Sequence, residues 1–262
     1  MCAAPLHSRP LLRTSTSCAA RGRCAADVCE MQESQRGENQ TGPVVCGRFD
    51  DMGRKDADRT FRLGIMGGTF DPIHIGHLAC AEQVRDAFGL DGVVFMPAGD
   101  PWMKKGKGVT GAELRYDMVR LAVADNPYFD ASRLEIDRAG ETYTVDTLRV
   151  LRAHYPENVE LYFISGADAV FNILKWRDSD EIGKLARLVV VTRPGYILND
   201  ARRRYMRTHA SILHMSSIEV TALSISSTDL REKVKEGRSI RYLVPQPVAE
   251  YIQYHGLYTG VS

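Results

Sequence analysis

The sequence predicts an α/β protein with a Rossmann-like, doubly wound parallel sheet and helices on both faces. From Phe61 onward, short and almost entirely apolar strands alternate with helical stretches, an alternation typical of parallel sheets covered on both sides. The first strand also leads directly into a glycine turn and a helix, an arrangement that favours phosphate binding. Sheets of this class bind their ligands at the carboxyl ends of the strands.

Hydrophobic periodicity gives the positions of the individual elements. Strands are expected at residues 61–66, 92–97, 159–165 and 187–192, with a shorter strand near 211–215. Helices are expected at residues 77–88, 111–125, 144–154, about 200–209, 227–236 and 247–255.

Composition changes near residue 60. Residues 1–60 are rich in Arg, Ser, Gly, Gln and Asp without a sustained period of 2 or 3.6, so they cannot bury enough apolar surface to offset the entropy of ordering. We therefore expect a disordered N-terminal extension at 1–60 and one folded domain at 61–262. Five of the six cysteines lie in the extension, at spacings that match no zinc pattern. The Arg and Ser content is compatible with a transit peptide, although Asp and Glu occur from Asp27 onward. A misassigned start codon, with Met52 nearer the true start, explains the extension equally well.

Charge and hydropathy exclude two classes of partner. The net charge of +1 argues against a surface that coats nucleic acid, so any affinity for phosphate must be local. No run reaches the roughly 18 apolar residues of a membrane span, and we expect no membrane partner. Cys80 is the only cysteine of the patterned region, which suits a reducing cytoplasm.

The first chemistry-bearing motif covers residues 64–77, which read Gly-Ile-Met-Gly-Gly-Thr-Phe-Asp-Pro-Ile-His-Ile-Gly-His. Gly67 and Gly68 allow close approach of a ligand to the backbone, and Thr69 adds a hydroxyl. His74 and His77 lie three apart at a helix start and can share one face. There they can donate to oxygens of a phosphorus centre on which charge develops during transfer.

The second motif lies about 150 residues later, at the start of another helix. It comprises Ser226, Ser227, Thr228 and, one helical turn further on, Arg231. Hydroxyls and free backbone N–H groups at a helix start, together with an arginine, can hold the outer phosphates of a triphosphate. Alone, such a run is usually an N-cap, so the pairing of the two motifs carries the argument.

Together, Gly-Gly-Thr-Phe-Asp-Pro-Ile-His-Ile-Gly-His and Ile-Ser-Ser-Thr-Asp-Leu-Arg resemble the nucleotidyltransferase superfamily with an HxGH signature. From about Phe61 to Tyr258 the chain closely resembles bacterial nicotinate-nucleotide adenylyltransferases, through further stretches at 141–148, 164–169, 192–195 and 243–252. The resemblance implies a nucleotidyltransferase domain at 61–262 that transfers AMP from ATP to nicotinate mononucleotide. The products would be deamido-NAD and pyrophosphate, in NAD biosynthesis. Mg²⁺ would accompany ATP, and the oligomeric state stays open, a homo-oligomer included.

The resemblance also implies roles for individual residues. The catalytic residues would be His74, His77 and Lys104. The ATP-binding residues would be Gly67, Gly68, Thr69, Gly166, Asp168, Ser226, Ser227, Thr228 and Arg231, with Gly166 and Asp168 holding the ribose. The pyridine nucleotide would contact Tyr143, Thr144 and Trp176, the last by stacking on its ring.

One stretch departs from the family pattern. The family often has Asn-x-Pro-Pro-His-Lys after its second strand, whereas this chain has Gly-Asp-Pro-Trp-Met-Lys-Lys at 99–105. Met103 takes the position of the family's histidine, so the resemblance supports no third imidazole. Lys104 retains a cation there, with Lys105 as its alternative.

Other readings of the same residues stay open. A nicotinamide-mononucleotide adenylyltransferase or another HxGH adenylyltransferase would share this mechanism. A non-catalytic module that senses nucleotides could use the same phosphate site without turnover. The letters His-Ile-Gly-His also occur in aminoacyl-tRNA synthetases, but this chain has no Lys-Met-Ser-Lys-Ser run.

Overall fold

A computed structural model describes residues 45–100, 108–170, 176–193, 204, 207–209, 213–221 and 223–260, with the side chain of Asp168 left out. Within these ranges, no helix is both long enough and apolar enough to pass through a bilayer.

The described strands form one parallel sheet of six strands. They are β1 (Phe61–Gly68), β2 (Gly92–Pro97), β3 (Phe129–Ala131), β4 (Val159–Gly166), β5 (Arg187–Thr192) and β6 (Met215–Glu219), in the order β3-β2-β1-β4-β5-β6. All five neighbouring pairs are parallel. The order reverses between β1 and β4, and ligands of doubly wound sheets bind at such a reversal. The predicted fold class is confirmed.

Helices cover both faces of the sheet. The first face packs against α1 (Ile75–Phe88), α2 (Ala112–Val123), α6 (Ser227–Lys235) and α7 (Gln246–Tyr254). The second packs against α3 (Thr144–His154), the short α4 (Ala167–Val170) and α5 (Ser179–Leu185). Successive strand residues alternate between the two faces: in β2, Val93 and Phe95 join the first apolar cluster, and Val94 and Met96 the second.

The expected elements differ from the observed ones in a few places. β3, α4 and α5 are not among the expected elements; β3 has only three residues, Phe-Asp-Ala, and α4 only four, too few to establish a period. The shorter strand expected at 211–215 is β6 at Met215–Glu219, a partly exposed edge strand with two serines and little apolar signal. The helix expected at 200–209 lies largely outside the described residues.

Residues 45–60 differ from the expectation of disorder. We call residues 45–54 the N-terminal strap. Val45 and Cys46 are buried in the apolar cluster on the second face of the sheet. Burial raises the pKa of the Cys46 thiol to about 12, so this cysteine is an inert core residue. The expectation for residues 1–44 falls outside the described residues.

Hydrogen bonds fix the strap to the domain. The buried carboxylate of Asp50 accepts the N–H groups of Val45 at 2.7 Å and Cys46 at 3.1 Å. The Tyr155 hydroxyl donates to the carbonyl of Phe49 at 3.0 Å. Asp130, in the edge strand β3, accepts the N–H of Arg48 at 2.7 Å. The folded unit therefore begins well before Phe61.

The buried contacts of the strap lead us to expect that a chain starting at Met52 is less stable than one that includes the strap. A chain beginning there lacks the buried Val45 and Cys46 and the hydrogen bonds of Asp50, so we expect a free energy of unfolding about 3 kcal/mol below that of a chain beginning at Thr41. Urea unfolding of both chains measures the difference. Equal unfolding midpoints would show that the strap contributes nothing to stability.

Candidate active site

The candidate site lies where the strand order reverses, at the carboxyl ends of β1 and β4. β1 ends at Gly68 and β4 at Gly166, and residues 69–74 connect β1 to α1. Apart from its chain neighbours, a Cβ built on Gly166 would meet no atom of the described residues within 4 Å. The end of β4 therefore has open space beside it, in keeping with the position expected for a ligand crevice.

The expected glycine turn is instead the end of β1, because Gly67 and Gly68 are its last two residues, and the ring of Phe70 shapes the residues that follow. Phe70 has a φ of +48°, in the left-handed region, and its buried ring folds back over Gly68. A Cβ on Gly68 would lie 2.8 Å from that ring, so only glycine fits there. The same ring meets His77 edge-on, with 5.1 Å between the ring centroids. The turn thus supports one of the two predicted catalytic histidines.

The two histidines stack on each other at the N-terminus of α1. His74 is the N-cap residue, and the rings of His74 and His77 lie 3.6 Å apart with an angle of 21° between their planes. The backbone N–H of His74 donates to Nδ1 of His77 at 3.2 Å. Because Nδ1 accepts this bond, the neutral tautomer of His77 carries its proton on Nε2.

Gly76 leaves room for this arrangement. A Cβ at residue 76 would lie 3.0 Å from Nδ1 and 3.1 Å from Cε1 of His74. The glycine between the two histidines therefore has a steric reason: a side chain there would press on the His74 ring.

His74 is held as a neutral imidazole. Its side chain is buried, and burial lowers its pKa to about 4, with the charge of Arg193 acting in the same direction. Nδ1 of His74 is buried and has no hydrogen-bond partner among the described residues. A buried polar atom without a partner is costly, and the nearest donor to this side chain is the backbone N–H of His77, which it faces in the capping box of α1.

The second motif converges on the first across 155 residues of sequence. The Ser227 hydroxyl donates to the carbonyl of Pro72 at 2.9 Å. Ser226 is the N-cap of α6, and its hydroxyl accepts the N–H of Asp229 at 3.1 Å. The two motifs are thus in direct contact in the structure.

Arg231 makes a second link between the motifs. Its Nη1 donates to the carbonyl of Asp71 at 2.7 Å, and its Nη2 to the Thr228 hydroxyl at 3.3 Å. The side chains of Ser227 and Arg231 therefore brace the loop between β1 and α1. Contact of either side chain with phosphate stays a prediction.

The residues predicted for the pyridine nucleotide lie beside β4 and α3. The Tyr143 hydroxyl donates to Glu141 at 2.5 Å, and Thr144 is the first residue of α3. The Trp176 ring meets Phe163 edge-on at 6.1 Å, and its buried Nε1 has no hydrogen-bond partner in the described part of the chain. Trp176 is thus partly a packing residue, and its stacking role stays a prediction.

Some predicted residues cannot be assessed in the structure. Lys104 and Lys105 lie outside the described residues, as does the side chain of Asp168. Across the described ranges, no group of three or more His, Cys, Asp or Glu side chains comes together as a metal site.

Comparison with known proteins identifies the family. Residues 65–233 match the cytidylyltransferase-like family. A probable nicotinate-nucleotide adenylyltransferase of Corynebacterium jeikeium is 50% identical over 198 residues, which are 74% of this chain and 99% of that protein. The Salinispora arenicola protein of the same name is 51% identical over 193 residues, 74% of this chain and 99% of its own length. The chain belongs to the nicotinate-nucleotide adenylyltransferase family. The resemblance drawn from the sequence is confirmed.

Solved structures agree on the fold. Nicotinic acid mononucleotide adenylyltransferase of Plasmodium falciparum, complexed with APC, superposes with a TM-score of 0.61 at 18% identity, over 76% of this chain and 97% of that one. The same Plasmodium enzyme complexed with NaAD also gives a TM-score of 0.61, at 17% identity over the same shares of the two chains.

Two residues of this family member escaped the sequence analysis. Arg115 is 1% exposed and bonds to backbone carbonyls of the loops after β1 and β2. Asp71 is 3% exposed and accepts hydrogen bonds from the Tyr258 hydroxyl at 2.7 Å and the N–H of Thr110 at 3.3 Å.

A signal for Arg115 was present in the sequence. Arg115, Met118, Val119 and Ala122 are all buried in α2, and their spacing is that of one helix face. A charged residue on the apolar face of a helix indicates a buried partner. Nothing in the sequence indicates which backbone carbonyls accept hydrogen bonds from Arg115.

The environment of His74 predicts an unusual titration. We expect its ring to stay neutral until the pH falls to about 4. Long-range nitrogen–proton NMR would follow the titration, with a His74→Asn variant assigning the signals. The unfolded chain binds a proton at residue 74 more readily than the folded chain does. As the pH falls from 6.5 toward 4, the free energy of unfolding of the wild type should therefore fall relative to that of the His74→Asn variant. An NMR midpoint near the ordinary value would contradict the burial argument.

Proposed function

We propose that this chain transfers AMP from ATP to nicotinate mononucleotide, forming deamido-NAD and pyrophosphate in NAD biosynthesis. Family membership supports the reaction. The structural observation that carries the proposal is the convergence of the two motifs, through Ser227 and Arg231, on the loop that leads to His74 and His77. Such a crevice, lined by the N-termini of α1 and α6, favours a polyphosphate.

The reaction is a direct displacement. A phosphate oxygen of the mononucleotide attacks the α-phosphorus of ATP, one P–O bond forms, and the bond to pyrophosphate breaks. This nucleophile is already ionised at neutral pH, so the chain needs no general base. Catalysis rests on aligning two anions and stabilising the charge that develops during transfer.

The paired histidines supply that stabilisation. Nε2 of His77 carries its proton in the neutral tautomer because Nδ1 accepts from the backbone of His74, so it is suited to donate to a phosphate oxygen. His74 is neutral near pH 7, and the N–H of its neutral ring is the group that can donate to a phosphate oxygen. Negative phosphate beside this ring raises its pKa and so favours the imidazolium during transfer.

The remaining phosphate contacts follow from the same geometry. We assign the Gly67–Gly68 backbone, Thr69 and the Ser226–Thr228 run to the triphosphate, and Lys104, or alternatively Lys105, to the pyrophosphate leaving group. Arg231 completes this set while bracing Asp71. Mg²⁺ enters as part of the MgATP substrate, bound by phosphate oxygens.

The two nucleoside parts lie on either side of the reacting phosphates. Gly166 and Asp168, at the end of β4, are assigned to the adenosine ribose, since the strand end is open at Gly166 and a carboxylate accepts from hydroxyls. Tyr143, Thr144 and Trp176 are assigned to the nicotinate ring, with the buried N–H of Trp176 as a candidate donor.

We also place the reaction in the cytoplasm. Both cysteines in the described part of the chain, Cys46 and Cys80, are free thiols, which suits a reducing compartment. The oligomeric state stays open, and a homo-oligomer is compatible with the proposed function.

A pyrophosphate-release assay tests the function. With MgATP and nicotinate mononucleotide, we expect His77→Ala to lower kcat by about a thousandfold, because it removes a donor at the developing charge. His255→Ala is the matched control, because His255 is an exposed residue at the end of α7 and should leave kcat unchanged. Near-wild-type turnover by a folded His77→Ala chain would end the role given to this residue.

The same assay separates the related functions. We expect kcat/KM for nicotinate mononucleotide to exceed that for nicotinamide mononucleotide by at least about tenfold, the effect of one lost hydrogen bond to a charged group. Faster turnover of the amide would assign the chain to nicotinamide mononucleotide instead. ATP binding without pyrophosphate release from any acceptor would support the nucleotide-sensing alternative.

A further inference from the structure

Arg115 is a large charged side chain buried in the core, and within the described part of the chain its guanidinium donates to backbone carbonyls alone. Nε donates to Thr110 at 2.8 Å and Nη1 to Thr69 at 2.7 Å. Nη2 donates to Ala98 at 2.7 Å and Gly99 at 3.1 Å. Burying a charge is costly unless it is well hydrogen-bonded. The four accepting carbonyls therefore indicate that Arg115 has a specific role at this position.

The four carbonyls belong to segments that border the site. Thr69 follows β1 and begins the loop that leads to His74. Ala98 and Gly99 follow β2, immediately before the stretch that contains Lys104. Thr110 lies just ahead of α2. One side chain therefore spans the ends of two adjacent strands and both ends of the segment between β2 and α2.

We propose that Arg115 is a positioning residue for adenylyl transfer, which sets the spacing between the loop that leads from β1 to His74 and the residues that directly follow β2, Ala98 and Gly99. The inference rests on the proposed function. Arg115 acts through these loops and not by contact with the substrates, because it is 1% exposed. Rates of transfer depend steeply on such spacing: a displacement of about 1 Å can cost about a hundredfold.

The geometry of the contacts requires arginine. A guanidinium offers five N–H donors in a rigid plane, whereas a lysine ammonium offers three on a flexible stem. The positive charge is balanced through space by Asp71, whose carboxylate is itself fixed by Tyr258 and Thr110. A lysine at residue 115 would keep the charge, but its single ammonium group cannot reach both the carbonyl after β1 and the carbonyls after β2.

Arg152 provides a matched control. It donates to the carbonyls of Val159 at 2.7 Å, Tyr155 at 3.1 Å and Pro156 at 2.6 Å. This is the same kind of carbonyl clamp, but it lies at the amino-terminal end of β4, opposite the site. A purely structural role for Arg115 would make the two arginines equivalent in their effect on turnover.

The test compares Arg115→Lys, Arg115→Gln and Arg152→Lys in the full chain. Pyrophosphate release from MgATP and nicotinate mononucleotide gives kcat and KM, and urea unfolding gives the folded fraction. We expect both Arg115 variants to lose about a hundredfold in kcat per folded molecule, with KM for ATP changing less. We expect Arg152→Lys to lose stability while its kcat stays within about threefold of wild type.

The outcomes distinguish the two proposals. Arg115→Gln is included because its neutral amide leaves no buried charge, so it can fold where the lysine variant does not. Wild-type kcat per folded molecule in either Arg115 variant would overturn the positioning role. Failure of both variants to fold would also overturn it, because the arginine would then be needed for folding alone. Absence of turnover in the wild type would instead overturn the proposed function.

Discussion

The active site depends on how the loop between β1 and α1 is held. Three of its backbone carbonyls are fixed by side chains from different parts of the chain: Thr69 by Arg115, Asp71 by Arg231 and Pro72 by Ser227. A buried loop must find partners for its backbone polar groups, and here those partners come from α2 and α6. The loop can therefore hold two stacked histidines at a helix N-terminus without a regular strand or helix of its own.

The electrostatics of the site are local. The whole chain has a net charge of only +1, so a general positive field cannot attract the triphosphate. In the proposed function, the attraction comes instead from two helix N-termini, from imidazole N–H groups and from arginine. His74 is kept neutral by burial, so its ring lies in the interior without the cost of a buried charge. Fixed donors of this kind need little rearrangement during the reaction.

The N-terminal strap contacts a part of the sheet that lies away from the two histidines. It packs against the face opposite α1 and lies beside β3, the edge strand, where Asp130 and Ser132 bond to its backbone. Edge strands expose unpaired backbone groups, and a covering segment protects them. The strap thus covers the β3 edge of the sheet and packs into the apolar cluster on the second face.

The sequence by itself determined the fold class, the strands β1, β2, β4 and β5, the two phosphate motifs and the family. These follow from local signals: hydrophobic period, glycine turns and residue runs at helix starts. It did not determine β3, the packing of the strap, or the roles of Arg115 and Asp71. Each of these depends on contacts between residues far apart in the chain, such as Arg115 with Thr69 and Arg231 with Asp71. Only the folded chain brings such partners together, because a backbone carbonyl has no sequence signature and its partner is chosen by tertiary packing.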